Sequence, residues 1–219
     1  PNQLNLPPWS LPGQSALSGL RSRELTPNGG GNGAAGRSNQ MVFVDTEGKI
    51  QAQLRSDHQH SELNLGHIGR IEGNAGRTQD RGEGAELRTD GHGVVRAAKG
   101  LYVGTDGREK AQGHDKDLAE PVQRLTQARE QHETLANLAE HHNAQDKGED
   151  QFKVNAQLKA QNDEIRGEGA GAGTRGSGQP FPELSQAHLV LSSPAGIQAA
   201  TSGGTHLASG EHTAITRAS

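Results

Sequence analysis

LRTDGHGV (87–94), VRAAKGLY (95–102) and VGTDGREK (103–110) follow one another as three blocks of eight residues. Leu87, Val95 and Val103 open the blocks. Thr89, Ala97 and Thr105 share the third place, and Asp90, Ala98 and Asp106 the fourth. A strand of about five residues spans about 17 Å, and about three further residues turn a corner. An eight-residue unit is therefore one edge of a prism, and three edges close a triangle. This run makes a single coil, which cannot bury its own inner face, and stacked repeats need several copies. Three chains wound together supply three coils over the same stretch. They also pair each chain's strand edges with a neighbour's, which removes open edges. An ordinary sandwich is the alternative, but it rarely keeps one spacing across consecutive strands.

Composition points the same way. Of 219 residues only 2% are aromatic, 31 are Gly, and the mean hydropathy is -0.82. A lone domain this size buries large apolar side chains to offset the cost of ordering its backbone. Here the expectation is a thin core shared between copies, because a disordered chain has no reason to keep a period. The net charge is -4 and the Lys and Arg residues are scattered, so no basic stripe marks a nucleic-acid binder. No stretch reaches the roughly 18 apolar residues of a membrane span. Cys is absent, so no disulfide is needed. The chain opens on Pro1 without a signal pattern, and an excised fragment made in the cytoplasm is expected.

The pattern divides the chain into five stretches. Residues 1–40, with LPPWSLPG and TPNGGGNGAAG, read as an irregular Pro/Gly-rich segment. Residues 41–113 read as a first β-prism segment. MVFVDTEGKIQAQL and SELNLGHI alternate like half-buried strands, NAGRTQDRGEG interrupts them as a polar loop, and the octads follow. Residues 114–168 read as an antiparallel helical hairpin. Its first helix carries Leu118, Val122, Leu125, Leu135 and Leu138 at helical spacing, with Asp117 as N-cap and Pro121 in the first turn. The second helix spans 151–166, with Val154, Leu158 and Ile165 along one face. Residues 169–187 read as a Gly/Pro linker.

Residues 188–219 read as a second β-prism segment. Leu189 opens its first octad and Ile197 its second. Leu191, Ala199, Leu207 and Ile215 share the third place, and Gly196 and Gly204 close their blocks as corners. The beat is still running at Ser219, which reads as a truncation. The fold class expected is thus mainly β: an intertwined triple-stranded β-prism formed by a homotrimer, with an inserted helical hairpin. Leu87, Val95, Val103, Leu189, Leu191, Ile197, Leu207 and Ile215 are its expected core filling.

The blocks LNLPPWSLPGQSALSGLRSRELTPNGG (4–30), VFVDTEGKIQAQLRSDHQHSELNLGHI (42–68), RGEGAELRTDGHGVVRAAKGLYV (81–103), LKAQNDEIRGEG (158–169) and PELSQAHLVLSSPAGIQAATSGGTHLASGEHTAIT (182–216) resemble, in order, the VgrG (Rhs element Vgr) family. These are spike proteins of the bacterial type VI secretion system. The resemblance corresponds to the carboxy-terminal spike rather than the hub-like base. It implies a homotrimeric shaft that punctures target envelopes with transient membrane contact. It also implies a tip-capping (PAAR-type) protein, carried effectors or adaptors, and a secretion tube protein reached through the base. Cytoplasmic synthesis followed by secretion without a signal peptide is implied too.

Enzyme chemistry finds no support in the residues. There is no Cys nucleophile, no HExxH pattern and no assignable Ser–His–Asp set. GGGNGAAG lacks the strand and helix of a dinucleotide fingerprint, so no cofactor is expected. His58 and His60 flank Gln59 and would share one face of a strand. On a three-fold axis they would be weak metal candidates, and a solvated surface pair is the simpler reading. The chain is therefore expected to be structural. The alternative is an effector- or adaptor-binding platform on the helical hairpin, through Leu118, Leu125, Leu135, Leu158 and Ile165.

Overall fold

Alternating side chains and hydrogen-bond pairing decide the first half of the chain. The computed structural model describes residues 16–25, 27, 36–72, 76–144, 151–168 and 181–216. The chain is mainly β with two helices, and it divides into two units, Pro1–Val95 and Arg96–Ser219. The first unit is a five-stranded antiparallel sheet in the order β1 (Leu17–Arg21), β2 (Asn39–Val44), β3 (Gln51–Ser56), β4 (Ser61–Glu72) and β5 (Gly76–Arg88). Each strand pairs with the next in sequence, so the sheet has no crossover.

In β2 the residues alternate strictly, with Gln40, Val42 and Val44 buried and Met41 and Phe43 exposed. The register sets Val42 opposite Gln53, Gln53 opposite Asn64, and Asn64 opposite Glu86. The far half of β4 bends over this side. Gly66 lies at φ 96°, and a Cβ there would meet the Ile50 carbonyl, so glycine marks the bend. Beyond it the register of β4 against β5 shifts, and Ile71 packs on Leu17, Val42 and Val44. The Gly69 N–H donates to Gln51 Oε1 at 2.8 Å, and Gln51 Nε2 donates back to the Gly69 carbonyl at 3.0 Å.

The second unit holds β6 (Leu101–Gly104), α1 (Ala119–His141), α2 (Gln151–Arg166) and β7 (Leu189–Ser192). β6 and β7 are parallel, with Leu101 opposite Leu189 and Val103 opposite Leu191. Parallel neighbours require a crossover, and the two helices are that crossover. Ile165, at the end of α2, packs with Leu118 and Val122 at the start of α1, and both meet Leu184, Val190 and Tyr102. Gly167 follows α2 at φ 92°, and the Leu184 and Ser185 N–H groups donate to the last carbonyls of the helix, Ile165 and Glu164.

Several expectations change. β1 lies inside 1–40, where Leu17–Arg21 pairs with β2, and the rest of that stretch is described only in part. Gly76–Arg88 is a strand rather than a polar loop, because β4 offers it a full antiparallel partner. The residue before α1 is Leu118. Asp117 still accepts the Ala119 N–H at 3.2 Å. Between Arg88 and Leu101, and after Ser192, the described octad residues form no strand. A strand needs a run of backbone partners along its edge, and among the described residues these stretches have only isolated bonds, such as the Asp90 N–H to the Gln59 carbonyl at 2.8 Å.

Candidate assembly surface

The five-stranded sheet has an inverted pattern. Its covered side is rich in amides. Gln40 Nε2 donates to Gln53 Oε1 at 2.5 Å, Gln53 and Gln51 both donate to Asn64 Oδ1, and Asn64 Nδ2 donates to Glu86 at 3.0 Å. Its bare side is apolar. Leu20, Met41, Leu54, Leu63 and Leu87 form one row across all five strands, each opposite the next. Phe43, Ala52, Leu65 and Ala85 form the row beside it. The seven large members, Leu20, Met41, Phe43, Leu54, Leu63, Leu65 and Leu87, are all exposed. Burying each fully is worth about 1.5–3 kcal/mol.

The two-stranded sheet repeats the theme. Tyr102 and Val190 face the helices, whereas Leu101, Val103, Leu189 and Leu191 occupy the opposite side. Along the octads, Leu87, Val95, Val103, Leu189, Leu191, Ile197, Leu207 and Ile215 are exposed, Leu207 at 83% and Ile215 at 91%. Gly196 has φ 152°, and Gly204 is not among the described glycines with positive φ.

A polar clamp ties the crossover to its strands. Arg124, on α1, donates to both Asp106 carboxylate oxygens at 2.9 and 2.6 Å and to Ser192 Oγ at 2.6 Å. Tyr102 donates to Asp106 at 3.1 Å. Arg108 makes a two-pronged pair with Glu120 at 2.7 and 2.6 Å. The Arg124 hydrogen bond holds the Asp106 carboxyl below its ordinary range, and the Arg108 hydrogen bond does the same to Glu120. Burial, then the bond to Asp106, pushes the Tyr102 phenol up.

Two candidate groups are placed differently from expectation. His58 and His60 lie in a short 3-10 turn, with Gln59 and His60 at φ 54° and 45°, so they do not share a strand face. His58 Nδ1 lies 3.0 Å from Arg37. Among the described residues no group of three His, Cys, Asp or Glu is placed to hold a metal ion. Of the helix positions, Leu118 at 2% and Ile165 at 6% exposure are interior and cannot meet a partner, because they pack on β6 and β7. Leu125 and Leu135 are exposed, and Leu158 is half-buried. In the sequence, the alternation at Val42 and Val44 marks only the opposite side of the sheet as core, so the bare side carries no separate signal. The clamp left no local signal, since Arg124 and Ser192 are 68 residues apart.

Bare apolar sheet sides rimmed by polar residues define a class of chain: one whose surfaces are suited to burial against another protein. Comparison with known proteins narrows this. Residues 31–139 match the type VI secretion system Rhs element Vgr family. Residues 176–219 match a family described as an uncharacterized protein conserved in bacteria (DUF2345). The type VI secretion system spike proteins VgrG2b and VgrG2a of Pseudomonas aeruginosa are each 36% identical to this chain over 208 residues, 95% of its length. The chain spans only 18% and 22% of those relatives. A solved VgrG spike from the type 6 secretion system aligns with a TM-score of 0.61 at 25% identity, over 90% of this chain and 62% of that one. A VgrG spike with the Tle1 effector bound aligns with a TM-score of 0.61 at 26% identity, over 90% of this chain and 50% of that one. The chain belongs to the VgrG family of type VI secretion spike proteins.

Proposed function

We propose that this chain is shaft material of a VgrG spike, three copies of which wind into a rigid β-prism that is driven through a target envelope and carries effectors. The observation that carries the reading is the exposure of the octad side chains in a single copy, from Leu87 to Ile215. An apolar series with a fixed period, left bare, is the counterpart of identical series on other copies. Strength then comes from backbone hydrogen bonds between copies, each worth about 1 kcal/mol and lost only together. Synthesis in the cytoplasm, release without a signal peptide, a tip-capping protein and a tube protein beneath the base belong to the same reading.

The helices form an antiparallel hairpin outside the shaft. A second reading makes them a platform for an effector or adaptor. The exposed Leu125, Leu135 and Leu138 on α1 favour it, as does the solved VgrG spike that holds an effector. The shaft reading is tested on an unboiled detergent gel. A band near three times 23.1 kDa that collapses to one chain on boiling is expected. A single-chain band without boiling contradicts it.

A further inference from the structure

We infer that β6 and β7 of one copy together make a whole face of the shaft at their level, with no strand of another copy between them. Their bare side packs against the same side of two further copies. The inference rests on the three-copy reading above and specifies how the chains share the wall.

The pairing is direct. The Leu101 N–H donates to the His188 carbonyl at 2.9 Å, and Leu101 to Gly104 run parallel to Leu189 to Ser192 in one unbroken register. Hydrogen-bonded strands lie about 4.8 Å apart, so no third strand fits between them. Simple winding of three chains would set each strand beside two strangers. Here the crossover returns the chain to its own previous strand.

Spacing shows that this return does not disturb the beat. Thr105 and Ser193 sit side by side and are 88 residues apart, a whole multiple of eight. Val103, first in its block, and Leu191, third in a block counted from Leu189, are paired in this register and are likewise 88 residues apart, so the two runs fall in phase on one eight-residue count. The crossover can leave and rejoin the shaft without moving any later side chain to the wrong face.

The two sides of the pair have different uses. The helices take the side of Tyr102 and Val190, and Arg124 pins them there through Asp106 on one strand's end and Ser192 on the other. The opposite side holds Leu101, Val103, Leu189 and Leu191. It carries no charge, so identical sides meet without repulsion. It also continues the series that Ala199, Leu207 and Ile215 extend. A second and third copy are therefore its occupants.

The chain has no cysteine, so introduced thiols report cleanly. Thr105 Oγ1 and Ser193 Oγ are 2.9 Å apart, and neighbouring strands lie within disulfide reach. The double variant Thr105→Cys with Ser193→Cys, oxidised in the assembled state, is expected to lose both thiols. On a boiled non-reducing gel it then runs as a single chain, while its native mass stays that of three. Bands of two and three linked chains, or two thiols still free in a folded trimer, overturn the inference. A bonded single chain that is also monomeric in solution overturns the three-copy reading instead. Should the double variant fail to fold, each single variant is made and the two are co-assembled. No linked pair is expected, and a linked pair contradicts the inference.

Discussion

Gln53 donates a 3.0 Å hydrogen bond to Asn64 inside the covered side of the sheet, while their chain neighbours Leu54 and Leu63 stand opposite each other in solvent on the bare side. A sheet of a monomer normally turns its leucines inward and its amides outward. The reversal costs little on the covered side, because the amides satisfy one another. On the bare side it leaves apolar area that a partner must remove from water.

Asn64 is 0% exposed and joins Gln51, Gln53 and Glu86. Asn64→Ala strands those partners without replacing them. The expected loss is about 1–3 kcal/mol, read as a lower unfolding midpoint in denaturant. An unchanged midpoint would show that water or rearrangement satisfies the cluster.

Leu63 lies in the middle of the bare row. In a lone chain Leu63→Asp alters an exposed position and shifts stability by no more than about 0.5 kcal/mol. In the assembly it places three carboxylates within an apolar seam. Light scattering should report dissociation, and circular dichroism should lose the β signal of the octad strands while keeping that of the five-stranded sheet. A variant that assembles like the parent removes this side from the interface.

How much was visible beforehand depended on where the partners of each residue lie. α2 (Gln151–Arg166) is legible in the sequence, because Leu158 and Ile165 recur at helical spacing within one element. β1 was hidden, since LSGLR becomes a strand only through pairing with Met41 and Val42. RTQDRGEG looked like a loop for the same reason: β4, not its own residues, makes it a strand. His58 and His60 were set on a strand face, but the chain turns there to bring β3 back as β4. The octad beat was legible as a period, and its register, Val103 against Leu191, appeared only with the fold.

Leu118 joins the first turn of α1 to Val190 and Ile165. Leu118→Ala leaves a cavity there and is expected to cost about 2–5 kcal/mol. Hydrogen exchange should quicken in α1, α2 and β7 and stay unchanged in β2 to β4. Uniform quickening across both units would contradict a core local to the crossover.

Asp106 gives the crossover an acid limit. Arg124 lowers its carboxyl from the ordinary 3.8, with Tyr102 adding a second hydrogen bond. A carboxyl whose value falls on folding contributes stability above its unfolded value, and that stability is lost as pH drops through the folded value. The clamp's contribution is therefore full at neutral pH, starts to decline as pH falls below the ordinary 3.8, and is lost as pH drops through the lower folded value. Asp106→Asn should be less stable than the parent at pH 7, with the gap closing as pH falls past that limit. A gap independent of pH would assign the loss to packing rather than charge.

The central claim is that copies of this chain supply one another's interior. Sedimentation or light scattering of the purified chain measures it most directly. A mass near three times 23.1 kDa, with the β signal intact, is the predicted result. A folded particle of one chain, keeping the same β signal with its leucines in water, would contradict it.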